Sequence, residues 1–259
     1  MTSLIRLGVR ASAADAERVL AGLLELAPSG VEQVDGDGFV EYALYGAPGE
    51  LPSLPEGEAL IAGHPVVVRG EPVPDDWSER WKRFHSAVLV GGRLWVRPPW
   101  EEPAVRPGVY EIVIDPGQAF GTGTHPTTRM CLELLLELEA RGSLADLGCG
   151  SGVLAIAAAK LGFAPITAVD VDEVALESAR ENAEANGVEV EIGDSMRPAA
   201  LAVMNIALEV VEGLLPKLEV QRAITSGYLE RDDPSVAGWQ RIERRVHDGW
   251  AADLLEFRP

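Results

Sequence analysis

From residue 143 onward, short apolar runs alternate with segments whose apolar residues recur at helical spacing. The runs Leu144–Leu147, Ile166–Val169 and Val188–Ile192 predict three short strands. Between them, Val153–Leu161 and Glu173–Asn186 predict helices, and a glycine follows the second one as a good C-cap residue. Strands and helices that alternate in this way favour a parallel sheet with helices on both faces.

Three later segments are predicted to complete that sheet. They are Arg222–Ser226, Gln240–Val246 and Trp250–Phe257, the last two forming an antiparallel hairpin through Asp248-Gly249. The stretch between the first two leaves room only for a short helix near Pro234–Gly238.

The first third of the chain has a pattern typical of a small α+β unit. Apolar residues follow helical spacing between Val19 and Leu26. Strands are predicted at Leu4–Val9, Val31–Val34, Phe39–Tyr45 and His64–Arg69, and residues 46–63, rich in Gly, Pro and Glu, are predicted to be irregular. A βαββ(α)β order of this kind suggests a ferredoxin-like module.

The segment that follows is predicted to be a linker with one short helix. Residues 70–76 contain two prolines and two aspartates, and Trp77, Trp81 and Phe84 share one helical face. That face either docks the helix on a domain or contacts a substrate. The predicted division of the chain is 1–70, 71–100 and 101–259.

Charge narrows the choice of partner. The chain has 41 Asp and Glu against 22 Lys and Arg, a net charge of −19, which repels a phosphate backbone and attracts a basic partner. We therefore expect no direct contact with nucleic acid. No apolar run approaches the ~18 residues of a membrane span, and we expect neither a membrane contact nor a signal peptide. The two cysteines and four scattered histidines indicate a cytoplasmic protein without a disulfide framework or a bound metal. We also expect a monomer.

The glycine-rich segment Leu144–Gly152 contains the first candidate site. Its three glycines, Gly148, Gly150 and Gly152, allow the backbone to turn sharply and to approach a ligand closely. Asp170 lies 22 residues after Gly148, at the end of the next predicted strand, where a carboxylate can accept hydrogen bonds from ribose hydroxyls. The pattern predicts a nucleoside cofactor, against the alternative of a structural turn followed by a chance acid.

The spacing of the turn indicates which cofactor. A dinucleotide turn reads G-x-G-x-x-G and holds a pyrophosphate, whereas this one reads G-x-G-x-G and follows Asp146. An acid there is awkward for pyrophosphate but suits the cationic amino group of a methionine moiety. The segment resembles motif I of S-adenosylmethionine-dependent methyltransferases, and an NAD-binding dehydrogenase is the competing hypothesis. In that methyltransferase fold, Asp194 would lie near the adenine; otherwise it is an ordinary loop acid.

A second segment is more distinctive. Residues 115–129 read D-P-G-Q-A-F-G-T-G-T-H-P-T-T-R and precede a predicted helical run, Met130–Leu138. This segment resembles the D-P-G-x-A-F-G-T-G-x-H-x-T-T motif of PrmA-type methyltransferases, which modify large-subunit ribosomal protein eleven. The resemblance extends over about residues 75–210 and includes the glycine-rich turn.

The resemblance implies a fold, a cofactor and a set of site residues. The fold would be a Rossmann-like class I S-adenosylmethionine-dependent methyltransferase domain, preceded by a small ferredoxin-like domain that recognises the substrate. Cofactor contacts are implied for Thr128, Gly148, Asp170 and Asn205, and Asn205 would also lie beside the methyl group and the incoming amine. Phe120 and His125 would line the same cavity; their alternatives are core packing and a loop-stabilising hydrogen bond, respectively.

The implied activity is N-methylation of lysine ε-amines, of an N-terminal α-amine, or of both, on a basic large-subunit ribosomal protein. Two alternatives stay open. One is a methyltransferase for another protein lysine or a small amine. Another is a cofactor-binding protein without turnover, because the C-terminal third is short and lacks the family's Pro-Gly-Gly turn. An rRNA-base methyltransferase is disfavoured by the acidic charge and by Asn205-Ile206-Ala207 in place of Asn-Pro-Pro-aromatic.

Overall fold

The computed structural model of the chain forms two compact units, Met1–Trp81 and Lys82–Pro259. It describes residues 5–26, 32–36, 38–46, 51–52, 54–72, 86–103, 106–115, 123, 125–139 and 141–258. The predicted aromatic helix at 77–84 lies outside these residues. In the part of the chain that is described, no helix is both long and apolar enough to cross a membrane.

The first unit is a five-stranded sheet with one described helix. The order of its strands across the sheet is β2-β3-β1-β5-β4, and all neighbouring strands are antiparallel. The elements are β1 Ile5–Ser12, α1 Ala16–Leu26, β2 Glu32–Gly36, β3 Phe39–Gly46, β4 Gly57–Ile61 and β5 His64–Pro72. Helix α1 packs Val19 and Leu23, both fully buried, on one face of the sheet. Four strands and α1 thus agree with the ferredoxin-like prediction.

Strand β4 corrects the prediction that residues 46–63 are irregular. It pairs with β5 through a tight turn in which Ala62 and Gly63 both have positive φ, 51° and 81°. Ile61 is buried and Leu60 is exposed, as alternation on a sheet requires. Glycine, proline and glutamate around this short edge strand hid that alternation in the sequence.

The second unit contains a small sheet and a large one. In the small sheet, β6 Val88–Val90 is antiparallel to β7 Leu94–Arg97, which is parallel to β8 Tyr110–Val113. The large sheet has the order β11-β10-β9-β12-β13-β15-β14, in which the first five strands are parallel and β15 is antiparallel to both of its neighbours. Its strands are β9 Leu144–Leu147, β10 Ile166–Val169, β11 Glu191–Gly193, β12 Leu201–Asn205, β13 Arg222–Leu229, β14 Trp239–His247 and β15 Trp250–Phe257.

Helices cover both faces of the large sheet. They are α2 Pro126–Glu137, α3 Val153–Lys160, α4 Glu173–Asn186 and α5 Leu208–Leu214, followed by a 3-10 turn at Leu215–Lys217. One apolar cluster joins α2, α3 and α4 to one face, and a second cluster joins α5 and the 3-10 turn to the other. The predicted doubly covered parallel sheet is therefore present.

Two local predictions in this unit are wrong. Strand β11 begins at Glu191 rather than Val188, because the Val188 amide donates to Ala183 O and belongs to the end of α4. No helix forms at residues 234–238. That segment is held instead by side chains, since Arg241 binds the Asp233 carboxylate and Glu212 accepts from the Ser235 amide.

Candidate active site

The glycine-rich turn lies where β9 leaves the sheet and α3 begins. Gly148, Gly150 and Gly152 have φ values of 74°, 51° and 78°, a region that L side chains rarely adopt. The amides of Gly148 and Cys149 both donate to Val169 O, at 2.8 and 3.1 Å, which ties the turn to the end of β10.

Close packing also leaves little room for a side chain at two of these positions. A Cβ at Gly148 would lie 2.4 Å from Ile206 Cγ2, just beyond β12. A Cβ at Gly152 would lie 3.1 Å from Ala179 Cβ and 3.3 Å from Ala179 Cα on α4. The turn is therefore a narrow backbone cradle at the carboxyl edge of the parallel strands, where open α/β sheets bind ligands.

Asp170 joins that cradle to the next strand. Its Oδ2 accepts from the Gly150 amide at 2.9 Å, and its Oδ1 accepts from the Asp172 amide at 3.1 Å. Asp194 is exposed just after β11. Because β9, β10 and β11 are parallel, the Gly148 turn and these two acids follow the same edge of the sheet.

Asp146 lies beneath the turn and is almost completely buried. Its Oδ2 accepts from the Ala155 amide at 3.0 Å, whereas its Oδ1 has no hydrogen-bond partner among the described residues. The pKa of the Asp146 carboxyl is raised to about 7, mainly by burial; the Ala155 hydrogen bond opposes the shift, and the charge of Asp170 adds to it. A buried carboxylate oxygen without a partner is costly, so this atom is suited to a cationic ligand group.

Asn205 ends β12 beside the same cradle. Its Nδ2 donates to Thr128 Oγ1 at 3.2 Å, and its buried Oδ1 has no partner among the described residues. Thr128 is fully buried in the first turn of α2. β12 pairs with β9 so that Val203 faces Asp146, which places Asn205 level with Gly148. Along this edge of the sheet, two buried acceptor oxygens thus have no hydrogen-bond partner within the described ranges.

His125 is the N-cap residue of α2. Its Nδ1 accepts from the Thr127 amide at 3.4 Å and lies 2.7 Å from Thr127 Oγ1. The ring packs edge-on against Trp250, with the centroids 5.0 Å apart. Burial lowers the pKa of the imidazole, so His125 is uncharged at neutral pH. The loop-stabilising hydrogen bond considered for His125 is therefore present, and Phe120 lies outside the described residues.

Neither cysteine has the environment of a reactive thiol. Cys131 and Cys149 are both buried and free, and burial raises the pKa of both thiols. No group of three or more His, Cys, Asp or Glu side chains suited to a metal ion occurs among the described residues.

A comparison with known families decides where the chain belongs. The family model described as ribosomal protein L11 methyltransferase (PrmA) matches residues 62–252. The chain belongs to the PrmA family.

This chain aligns with only part of the length of individual family members. A Symbiobacterium thermophilum protein named ribosomal protein L11 methyltransferase is 41% identical over 203 residues, which are 71% of this chain and 66% of that protein. An Exiguobacterium protein of the same name is 39% identical over 217 residues, 76% of this chain and 70% of that protein. The chain thus spans about two thirds of the length of these curated relatives.

A solved structure of the same family supports the fold. The crystal structure of ribosomal protein L11 methylase from Lactobacillus delbrueckii subsp. bulgaricus superposes with a TM-score of 0.61 at 26% identity, covering 68% of this chain and 100% of that chain. The class I methyltransferase fold and the family predicted from the sequence are confirmed.

Two asparagines outside the predicted site bind the backbone where the PrmA-type segment begins. Asn182 Oδ1 accepts from the Asp115 amide at 2.9 Å, and its Nδ2 donates to Ser151 O at 3.0 Å. Asn186 Oδ1 accepts from the Val113 amide at 2.9 Å. Both residues are buried on α4. Their signal in the sequence was two amides four positions apart on the helix face that is otherwise apolar.

Replacing Asp170 by alanine is expected to weaken binding of S-adenosylmethionine by roughly tenfold to a hundredfold, because hydrogen bonds to a charged group contribute about 1.5–3 kcal/mol. Titration calorimetry measures the change. Asp172→Ala is the matched control, since Asp172 caps α4 through the Val174 amide and removing it should cost stability but not affinity. Wild-type affinity in Asp170→Ala would remove Asp170 from the site.

Proposed function

We propose that this protein is an S-adenosylmethionine-dependent N-methyltransferase. Its proposed target is a basic ribosomal protein of the large subunit, and the acceptors are lysine ε-amines, an N-terminal α-amine, or both. The carrying observation is that the glycine cradle lies at the same edge of the sheet as two buried oxygens, Asp146 Oδ1 and Asn205 Oδ1, which have no hydrogen-bond partner among the described residues, in a chain that matches the L11 methyltransferase family.

The residues present fit this cofactor. Asp146 Oδ1 is a buried acceptor suited to the ammonium of the methionine moiety. Asp170 has a carboxylate at the position suited to ribose hydroxyls, and the glycines leave open a cradle that side chains would fill. When bound, S-adenosylmethionine supplies a methyl group already activated by its sulfonium.

The protein's own part of the reaction is to orient the amine and to favour its neutral form, with the proton lost to solvent before transfer. A lysine has a pKa near ~10.4 in water, and desolvation favours its neutral form. Asn205 Oδ1 is placed to accept an N–H of the incoming amine and so to aim its lone pair. His125, uncharged at neutral pH, adds no repulsion toward a cationic lysine. No strong base is required beyond this desolvation.

Charge and family support the proposed substrate. The net charge of −19 favours association with a basic partner. The relatives of the chain are named for ribosomal protein L11. We assign substrate recognition to the first unit, in which α1 packs on the five-stranded sheet, as the family resemblance implies.

The test is transfer of a labelled methyl group. The purified protein is incubated with methyl-labelled S-adenosylmethionine and unmodified large-subunit ribosomal proteins, and labelled peptides are located by mass spectrometry. Label on lysine or N-terminal amines of one basic ribosomal protein is the expected result. Label on a different protein or on a small amine would replace the substrate, and binding without any transfer would favour a cofactor-binding protein.

A further inference from the structure

A second set of buried polar residues lies away from the cofactor cradle. Asp253, on β15, is fully buried, and Arg244 on β14 donates to both of its carboxylate oxygens, at 3.0 and 3.1 Å. Tyr228 on β13 donates to Asp253 Oδ2 at 2.8 Å, and its hydroxyl lies 2.7 Å from Thr225 Oγ1. A buried ion pair is weak evidence for stability by itself, so its position in the fold needs another explanation.

This network encloses an irregularity in the sheet. The pairing of β13 with β15 shifts register between Ser226 and Tyr228, which we call the 226–228 bulge. Gly227, inside the bulge, has φ 98°. Thr225 and Tyr228, one on each side, are joined through their hydroxyls. Bulges redirect a strand locally and are common beside active sites.

The 226–228 bulge presses against the residue that follows Asn205. The Ile206 amide donates to Ser226 O at 3.0 Å. A Cβ at Gly227 would lie 2.3 Å from Ile206 O, 2.7 Å from Ile206 C and 2.8 Å from Ile206 N. These are backbone atoms, which cannot rotate away as a side chain can. On the other side of Ile206, the absence of a side chain at Gly148 makes room for Ile206 Cγ2.

We infer that Gly227 is a positioning residue for methyl transfer: with the Thr225–Tyr228–Asp253–Arg244 network behind it, it fixes the Asn205–Ile206 peptide against the cofactor cradle. The inference rests on the proposed function, in which Asn205 orients the amine. It also gives a role to the buried carboxylate of Asp253, whose side-chain partners include Arg244 and Tyr228 and not Asn205 or the glycine turn.

The test compares two glycines of similar conformation. Gly227→Ala adds a methyl group against the Ile206 backbone. Gly162→Ala adds the same methyl at φ 91°, where nothing lies within 4 Å, and so reproduces only the backbone strain. Single-turnover methyl transfer, the dissociation constant of S-adenosylmethionine and hydrogen exchange at the Ile206 amide are measured for both variants and the wild type.

In Gly227→Ala we expect transfer to slow by roughly tenfold to a hundredfold, since a small misplacement near reacting groups has effects of this size. Exchange at the Ile206 amide should be at least about tenfold faster. The dissociation constant of S-adenosylmethionine should stay within about threefold of the wild-type value, because the substitution alters the placement of Asn205 and not the contacts that bind the cofactor. Gly162→Ala should match the wild type in all three measurements.

Tyr228→Phe is the second variant, because it removes the bridging hydroxyl with little change of volume. We expect transfer to slow by roughly threefold to tenfold, the value of one buried hydrogen bond.

Wild-type transfer and exchange in folded Gly227→Ala, or equal losses in Gly162→Ala, would overturn the inference. If Gly227→Ala does not fold, wild-type transfer and exchange in Tyr228→Phe would overturn it. A wild-type protein that binds the cofactor but transfers no methyl group would overturn the proposed function, and Ile206 exchange would then still show whether Gly227 holds that peptide.

Discussion

Asn205→Ala is expected to slow methyl transfer by about a hundredfold or more while changing the affinity for S-adenosylmethionine only a few-fold. Removing one preorganised polar group from a catalytic site has effects of roughly 10²–10³ in rate. Asn205 fits that class because its buried Oδ1 has no hydrogen-bond partner in the described part of the chain, while its Nδ2 donates to Thr128 Oγ1. The measurement is single-turnover transfer at saturating cofactor, together with calorimetric binding.

Thr128→Val is the graded control for this prediction. Valine keeps the shape of threonine but removes the oxygen that accepts from Asn205 Nδ2 at 3.2 Å. The amide of Asn205 would then be present but less well oriented, so we expect a loss of roughly tenfold or less. Full activity in Asn205→Ala would exclude Asn205 from the chemistry. Equal losses in cofactor affinity and in transfer would make it a binding residue instead.

The sequence predicted those parts of the fold whose signals are local. Leu144–Leu147, Ile166–Val169 and Glu173–Asn186 agree with the observed β9, β10 and α4, because each is a compact apolar or periodic segment with clear ends. The C-cap at Gly187, with φ 61°, likewise follows from residue type alone.

Predictions failed or were absent where contacts distant in the sequence decide the structure. Strand β4 exists because β5 pairs with it, and its own composition indicates a loop. The contact between Gly227 and Ile206 depends on the register of β12 with β13. Neither residue is unusual in its local sequence, so this part of the site could be recognised only in three dimensions.

In the candidate site, too, some features have local sequence signals and others depend on contacts distant in the sequence. Motif spacing identified Asp146, Gly148 and Asp170, because a strand, a turn and a second strand bring them to one edge. It also pointed to Asn205 through the resemblance. It could not show that one Asp146 oxygen has no hydrogen-bond partner among the residues that the structure describes, since this depends on how completely α3 and the sheet bury the carboxyl.

The buried Asp146 Oδ1 is the basis of the second prediction with a large expected effect, a loss of cofactor affinity. Asp146→Asn is expected to weaken S-adenosylmethionine binding by roughly thirtyfold or more at pH 8, since removing one partner of a buried charge pair costs about 2–5 kcal/mol. The asparagine can still accept from the Ala155 amide, as Asp146 Oδ2 does, so the turn should remain intact. Calorimetry measures the affinity, and the thermal midpoint reports whether the turn is disturbed.

The pH dependence of S-adenosylmethionine binding is the most specific test of this prediction. The pKa of Asp146 is raised by burial to about 7 in the protein without ligand, but a bound ammonium favours the carboxylate. Relative to Asp146→Asn, wild-type affinity should therefore rise by about tenfold between pH 6 and pH 8, with release of the Asp146 proton on binding, because roughly one tenth of the carboxyl is ionised one unit below its pKa. In Asp146→Asn this part of the pH dependence should disappear.

Stability of the ligand-free protein should change in the opposite direction. Because the folded-state pKa of Asp146 lies above its value in the unfolded chain, the folded state binds the proton more tightly, and this contribution to stability is lost as pH rises toward and through about 7. Relative to the wild type, ligand-free Asp146→Asn should therefore become more stable as pH rises from 5 to 8, even as its cofactor affinity falls further behind. A carboxylate that destabilises the empty fold and is needed for binding would be acting as part of the cofactor site. Parallel losses of stability and affinity at every pH would instead make Asp146 only a structural support for the turn.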